Sequence, residues 1–235
     1  MRISPDQWVF WSFGPLELNA TIIFTWTIMA LLGVGSWLAT RRISDREEIS
    51  TFQNLLEVLV GGLAEQIRDV SRQEPGRYLP FVGTLFVFIA TSNLLSVIPG
   101  YMAPTASLST TTALAFCVFV AVPLYGMASR GIAGYLKLYL HPTPFMLPFT
   151  AISEISRTIA LAVRLYGNAM SSAMIVGILI SITPFLFPIV MQLLGLLTGL
   201  IQAYIFAVLA MVYIASSTRA QNQSVAPETQ PKQER

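Results

Sequence analysis

Five stretches of this chain stay apolar long enough to cross a bilayer, and one stretch between the first two mixes apolar and charged residues at helical spacing. The first long run, residues 20 to 40, is stopped by Arg41-Arg42. Crossing a hydrocarbon core of about 30 Å takes roughly 20 residues at 1.5 Å each. The run follows Asn19 instead of a basic leader and ends without a small-residue cleavage site, so it predicts a retained first span. From 43 to 77 the character changes. Glu47, Glu48, Glu57, Glu65, Arg68, Asp69 and Arg72 interleave with Leu55, Leu56, Leu59, Leu63 and Ile67. Apolar positions 52, 55, 56, 59, 63 and 67 fall mostly three and four apart, which predicts an amphipathic helix on the membrane surface or against a partner. A second span, roughly 79 to 98, ends at the turn signal Ile98-Pro99-Gly100. The cluster Thr105, Ser107, Ser109, Thr110, Thr111 and Thr112 opens a third span reaching about residue 128.

The last two apolar runs are longer. One starts near Pro148, a favourable first-turn proline, and continues to about Ile182. The other follows Thr183-Pro184…Pro188 and continues to about Ser217. Each predicts a helix of about 45–50 Å, longer than the hydrocarbon core is thick, so the pair must tilt steeply or lie partly along the membrane. The predicted fold is an all-α integral membrane protein: about five membrane helices plus one amphipathic interfacial helix, the last two forming a long, strongly tilted hairpin. Residues 1–219 form one membrane domain; the polar tail 220–235 is expected to be disordered and cytoplasmic.

Composition narrows the function. The chain has 235 residues, 54% hydrophobic and 11% charged, against roughly 25% charged in a soluble domain. A net charge of +2 gives no footing for nucleic acid. One cysteine, Cys117, excludes an intrachain disulfide, and with one histidine, His141, the chain does not furnish a zinc site. No Gly-Lys-Ser/Thr phosphate loop is present, and no cofactor is implied. Arg41, Arg42, Arg46, Arg68, Arg72 and Arg77 flank one side of the spans; Arg130, Lys137, Arg219 and Lys232 join them if every run crosses. The connections at 99–106 and 182–187 carry no charge. The positive-inside rule then puts the N-terminus outside and the C-terminus in the cytoplasm.

The candidate chemistry lies on the first of the two long helices. Glu154, Arg157, Arg164, Asn168 and Ser171 recur at spacings of three, seven, four and three. At 100° per residue the last four share one narrow face, with Glu154 at its edge, flanked by small residues such as Ala160 and Gly167. Such a stripe faces a close-packed partner or a water-filled cavity. Glu154 and Arg157 also suit a simple ion pair one turn apart. Arg164 is different. It cannot shed its proton, and between Glu74 and Glu228 the only acidic residue is Glu154. A buried guanidinium without a neighbouring carboxylate points to function.

These residues sit within longer matches. Pro80-Phe81-Val82-Gly83-Thr84-Leu85-Phe86, Ser92-Asn93-Leu94-Leu95-Ser96-Val97-Ile98-Pro99-Gly100, Ala103-Pro104-Thr105-Ala106, Arg164-Leu165-Tyr166-Gly167-Asn168 and Gly199-Leu200-Ile201-Gln202-Ala203-Tyr204-Ile205-Phe206 occur in order along nearly the whole chain. With them the chain resembles the bacterial subunit a family of rotary F-type ATP synthases. The resemblance implies a non-catalytic subunit of the bacterial plasma (inner) membrane. Its partners would be the c-subunit ring, b-type stator subunits and the soluble ATPase head, with lipid around it. It implies two ion half-channels that meet a rotor carboxylate at the membrane midplane, with Arg164 as the stator arginine, Gln202 as the glutamine near it and Asn168 one turn on. Departures from the family pattern remove acids. Ala173 stands where many relatives carry glutamate, Ser107 and Ser109 where many carry aspartate and asparagine, and Gly195 where a titratable residue is common. Ser107, Ser109, Ser171 and Ser172 can line a hydrated path in their place, or simply bond helix to helix. His141, in a cytoplasmic connection, can titrate near the inner mouth or be an ordinary loop histidine. The coupling ion expected is H⁺, with Na⁺ the alternative, since hydroxyl and carbonyl oxygens also suit it. A stand-alone secondary transporter would need an internal repeat with broken helices, which the chain lacks; a passive scaffold has no use for Arg164.

Overall fold

The computed structural model describes residues 9–13, 16–41, 51–72, 74–98, 100–140, 147–183 and 187–219. Six helices carry the fold: α1 (Ala20–Arg41), α2 (Thr51–Ser71), α3 (Leu79–Leu94), α4 (Leu108–Leu140), α5 (Leu147–Ile182) and α6 (Phe187–Arg219). All but α2 are long and apolar enough to span a membrane, so the all-α membrane architecture stands, with α2 as the amphipathic element. At 36 and 33 residues, α5 and α6 reach about 54 and 50 Å.

A feature the hydropathy pattern does not announce precedes α1. Strands β1 (Val9–Phe13) and β2 (Leu16–Asn19) pair antiparallel, with an irregularity between Val9 and Trp11. Two further breaks mark where the helices end or bend. Gly131, at φ 75°, sits between two helical stretches of α4, two residues beyond the apolar window that closes at Ser129. Only glycine takes that backbone shape without strain. Gly100, at φ 90°, turns the chain between α3 and α4.

The core runs along α6. Ala203, Phe206 and Ala210 are buried on that helix in one cluster with Leu85 and Ile89 of α3 and Ala115 and Val118 of α4, and Ala207, Met211 and Ile214 in a second with Val82 of α3 and Ala121 and Val122 of α4. Alanine at positions 203, 207 and 210 lets the neighbouring helices approach closely, as membrane packing requires. Leu63 and Ile67 are the buried face of α2, and Val58 and Val60 its exposed one. The amphipathic reading of α2 therefore resolves into a helix lying against α3 and α6. The start expected for it, 43 to 50, lies outside the described residues, as does the tail 220–235. In contrast with α6, α5 sits at the edge: 6% of its apolar window is buried, against 33% for α3, α4 and α6. The helix carrying the arginine thus keeps most of its surface for something outside this chain.

Candidate functional site

Arg164 is the eighteenth of the 36 residues of α5, and Gln202 the sixteenth of the 33 of α6. Both therefore stand at mid-length of helices that cross together. Arg164 is exposed on the outer surface of α5, and among the described residues no hydrogen bond or ion pair engages it. Its neighbour Leu165 is buried and faces the other way, into the bundle. Gln202 is buried, and among the described residues its Nε2 has no hydrogen-bond partner. A buried amide left without a partner costs on the order of 1–3 kcal/mol unless water or a ligand group reaches it.

Such a space exists. A cavity of about 650 Å³ lies between α5, α6, the end of α3 and the α3–α4 connection. It follows α5 from Ile180 to Leu165, about 22 Å of helix, and ends at Gln202 and Leu165, the level of Arg164. Its polar lining is Asn93, Ser96, Tyr101, Asn168, Ser172, Gln192 and Gln202. Among the described residues no carboxylate lines it. Ala173, where the resemblance expects a glutamate, and Gly195, where it expects a titratable residue, do line it, so their small size contributes the room as well as removing a titratable group. A Cβ at Gly195 would meet Ser172 Oγ at 3.2 Å.

Hydrogen bonds hold the walls. Asn168 Nδ2 donates to the Thr198 carbonyl at 3.2 Å, joining α5 to α6. Gln192 Nε2 donates to the Ser96 carbonyl at 2.6 Å, joining α6 to the short 3-10 turn Leu95–Val97 that ends the second span. Asn93 Nδ2 donates to the Gly199 carbonyl at 3.0 Å. Tyr101 packs edge-on against Phe24 of α1, ring centroids 5.0 Å apart. Among the described residues its buried hydroxyl and that of Ser92 find no hydrogen-bond partner. Burial pushes the Tyr101 phenol up to about 12, and Ser92, nearby but outside bonding geometry, offsets a little of that. The phenol is therefore neutral at any physiological pH.

The expected polar stripe of α5 divides. Asn168 and the adjacent Ser172 turn inward to the cavity, whereas Arg157, Arg164 and Ser171 are exposed. Arg157 stands two turns before Arg164, its guanidinium over the Tyr213 ring at 5.5 Å; Glu154, half-buried one turn further away, accepts the Thr158 hydroxyl at its backbone carbonyl, 2.9 Å. Ser107 and Ser109 bond each other at 2.7 Å at the start of α4, outside the cavity lining. His141 lies outside the described residues. Among the described residues no three His, Cys, Asp or Glu side chains gather as metal ligands would. Four cavity residues were not singled out from the sequence: Asn93, Ser96, Tyr101 and Gln192. Their signal was present as isolated polar residues in apolar helices, Gln192 ten positions before Gln202 and Asn93 near the end of a span.

Comparison with known proteins gives a consistent set of relatives. A family model described as ATP synthase A chain matches residues 22–215. A protein of Acaryochloris marina named ATP synthase subunit a 2 is 58% identical, over 93% of this chain and 94% of its own length. ATP synthase subunit a of Albidiferax ferrireducens is 60% identical, over 97% and 98%. The protein of the same name from Nitrosospira multiformis is 57% identical, over 93% and 87%.

Proposed function

The chain belongs to the ATP synthase A chain family, and on that footing we propose that it is the stator ion channel of a rotary ATP synthase. In this reading two half-channels carry H⁺ to and from a carboxylate on a ring of c subunits, and the flow turns the ring. The ATP chemistry belongs to the soluble head, and b-type subunits hold the stator. The membrane is the bacterial plasma membrane, with the N-terminus outside. The cavity then serves as the outer half-channel and the single membrane domain ends near residue 219.

The observation that carries the reading is the placement of Arg164. A fixed cation stands exposed at mid-length of the least buried long helix, level with the Leu165 end of a mostly apolar cavity that carries the amides and hydroxyls named above. A rotor carboxylate arriving there meets a guanidinium, which favours its ionised form. It then gives up its ion and cannot be bypassed by direct leakage. Each elementary charge crossing the membrane supplies about 2.3 kcal/mol per 100 mV. Within the cavity, Asn168, Ser172, Gln192 and Gln202 offer amide and hydroxyl groups that orient water, so protons would move on water and not on a side chain. Arg157 and Glu154, nearer the other end of α5, suit the inner path.

Cross-linking tests the surface. With Cys117 replaced, Ser171→Cys on the exposed face of α5 should form a disulfide with a cysteine placed beside the rotor carboxylate, and the inward Ser172→Cys should not. Equal cross-linking of both, or none, contradicts the arrangement. A second reading, Na⁺ by the same route, is favoured by the cavity's oxygen-bearing, carboxylate-free lining. Na⁺ that stimulates ATPase activity and protects it from carbodiimide would select it; no effect on either selects H⁺.

A further inference from the structure

Two asparagines from different helices reach one turn of α6. Asn168 of α5 donates to the Thr198 carbonyl at 3.2 Å and Asn93 of α3 to the Gly199 carbonyl at 3.0 Å. Asn93 is buried, and its Oδ1 in turn accepts from Thr105 Oγ1 at 3.1 Å. Thr105 is fully buried in the 3-10 turn Pro104–Ala106 that leads into α4. One side chain therefore bonds the approach to α4 and α6 from its own place on α3. Contact holds it as well: a Cβ at Gly199 would stand 3.0 Å from both Cβ and Cγ of Asn93, closer than ordinary packing allows.

What this turn of α6 carries is Gln202. In an α-helix the carbonyls at 198 and 199 accept from the N–H groups of residues 202 and 203, so the clasped turn is the one from which Gln202 projects. The Nε2 of Gln202 is buried without a partner among the described residues. No bond from that nitrogen fixes the amide's direction; the helix that bears it does. We propose that Asn93 is a positioning residue: it clamps the 198–199 turn of α6 and so fixes where Gln202 presents its amide at the Leu165 end of the cavity. Asn93 needs no contact with the ion for this. Thr105, by donating its hydroxyl to Asn93 Oδ1, sets which way the Asn93 amide faces, nitrogen towards Gly199.

The inference rests on reading Gln202 as part of the ion path, and a double-mutant cycle separates the two. ATP-driven ion pumping is measured for the intact complex in liposomes, at matched assembly, with Asn93→Ala, Gln202→Ala and both. Displacement of a group by about 1 Å can cost on the order of a hundredfold in rate, so each single variant should lose tenfold or more. The double variant should be no slower than the slower single. Thr105→Val keeps the volume and removes the hydroxyl donor; it should give a smaller loss, which vanishes in the Gln202→Ala background. It also carries the test should Asn93→Ala fail to assemble. Losses that multiply, for Asn93 or for Thr105, would mean a packing role independent of Gln202 and overturn the clamp. Undiminished pumping by Gln202→Ala alone would instead overturn the path assigned above, and the functional consequence of the clamp with it.

Discussion

Two glycines of α6, one turn apart and both on the cavity wall, should respond to the same substitution in opposite ways. Gly199→Ala puts a methyl group 3.0 Å from Asn93 Cβ and Cγ and 3.2 Å from its Nδ2. Those atoms are buried and bonded on both sides, so the neighbour cannot swing away. Overpacking of this kind costs about 1–3 kcal/mol, and losing the bond to the Gly199 carbonyl adds about 1 kcal/mol. The gain in helix propensity from glycine to alanine returns about 1 kcal/mol. The net is a destabilisation of about 1–3 kcal/mol. At Gly195 the nearest atoms are Ser172 Oγ at 3.2 Å and Cβ at 3.3 Å. Ser172 borders open cavity and can turn its hydroxyl into it, so Gly195→Ala should be neutral or stabilising by up to about 1 kcal/mol. Heating the purified complex and following its loss of intact particles by fluorescence-detected gel filtration gives the comparison. A Gly199→Ala complex as heat-stable as its parent would refute the tight wedge of Asn93 against α6.

Other expectations follow from single contacts. Tyr101→Phe removes a buried hydroxyl with no hydrogen-bond partner, so thermal stability at pH 7 should hold or rise; a clear loss would show that the hydroxyl is bonded. Because burial raises the phenol from 10.0 to about 12, the folded state binds its proton more tightly than the unfolded chain does. That contribution is complete below pH 10 and is lost as pH rises to about 12, and Tyr101→Phe should flatten the part of the alkaline decline that belongs to it. In a chain with Cys117 replaced, Ser172→Cys should react with a small water-soluble thiol reagent and its rate should fall when Gly195→Ala narrows the cavity; an unchanged rate would place Ser172 outside the hydrated space. Tyr213→Leu removes the ring under Arg157 and should cost about 0.5–1 kcal/mol, the scale of an exposed cation–π contact; a heat stability identical to the parent's would show the contact idle.

The spans are legible in the sequence because a bilayer imposes a length and a composition that water does not. Residues 20 to 40, 79 to 98 and the two long runs are recognisable from apolar length alone; α3 itself ends at Leu94, and the 3-10 turn Leu95–Val97 carries the span up to the turn signal Ile98-Pro99-Gly100. Arg164 stands out because charge is scarce around it. The hairpin before α1 is harder to see, since five and four residues give too few alternations to compete with the long apolar run beside them. Its one local sign is Gly14-Pro15 between the strands. The cavity wall is illegible for another reason. Asn93 meets Gly199 and Gln192 meets Ser96 across 106 and 96 residues, and no local spacing encodes which distant carbonyl an amide will find. The same limit hid how the α5 stripe divides: periodicity places Asn168 and Arg164 on one face, while α6 packs closely enough to take Asn168 and leave Arg164 outside.

In the proposed function Arg164 is the fixed cation a rotor carboxylate must meet. ATP-driven ion pumping by the assembled complex carrying Arg164→Ala, beside the same complex with its native arginine, tests it most directly. The variant should assemble, still hydrolyse ATP, and pump no ions above the passive leak. Coupled pumping at the parental rate by Arg164→Ala would contradict it.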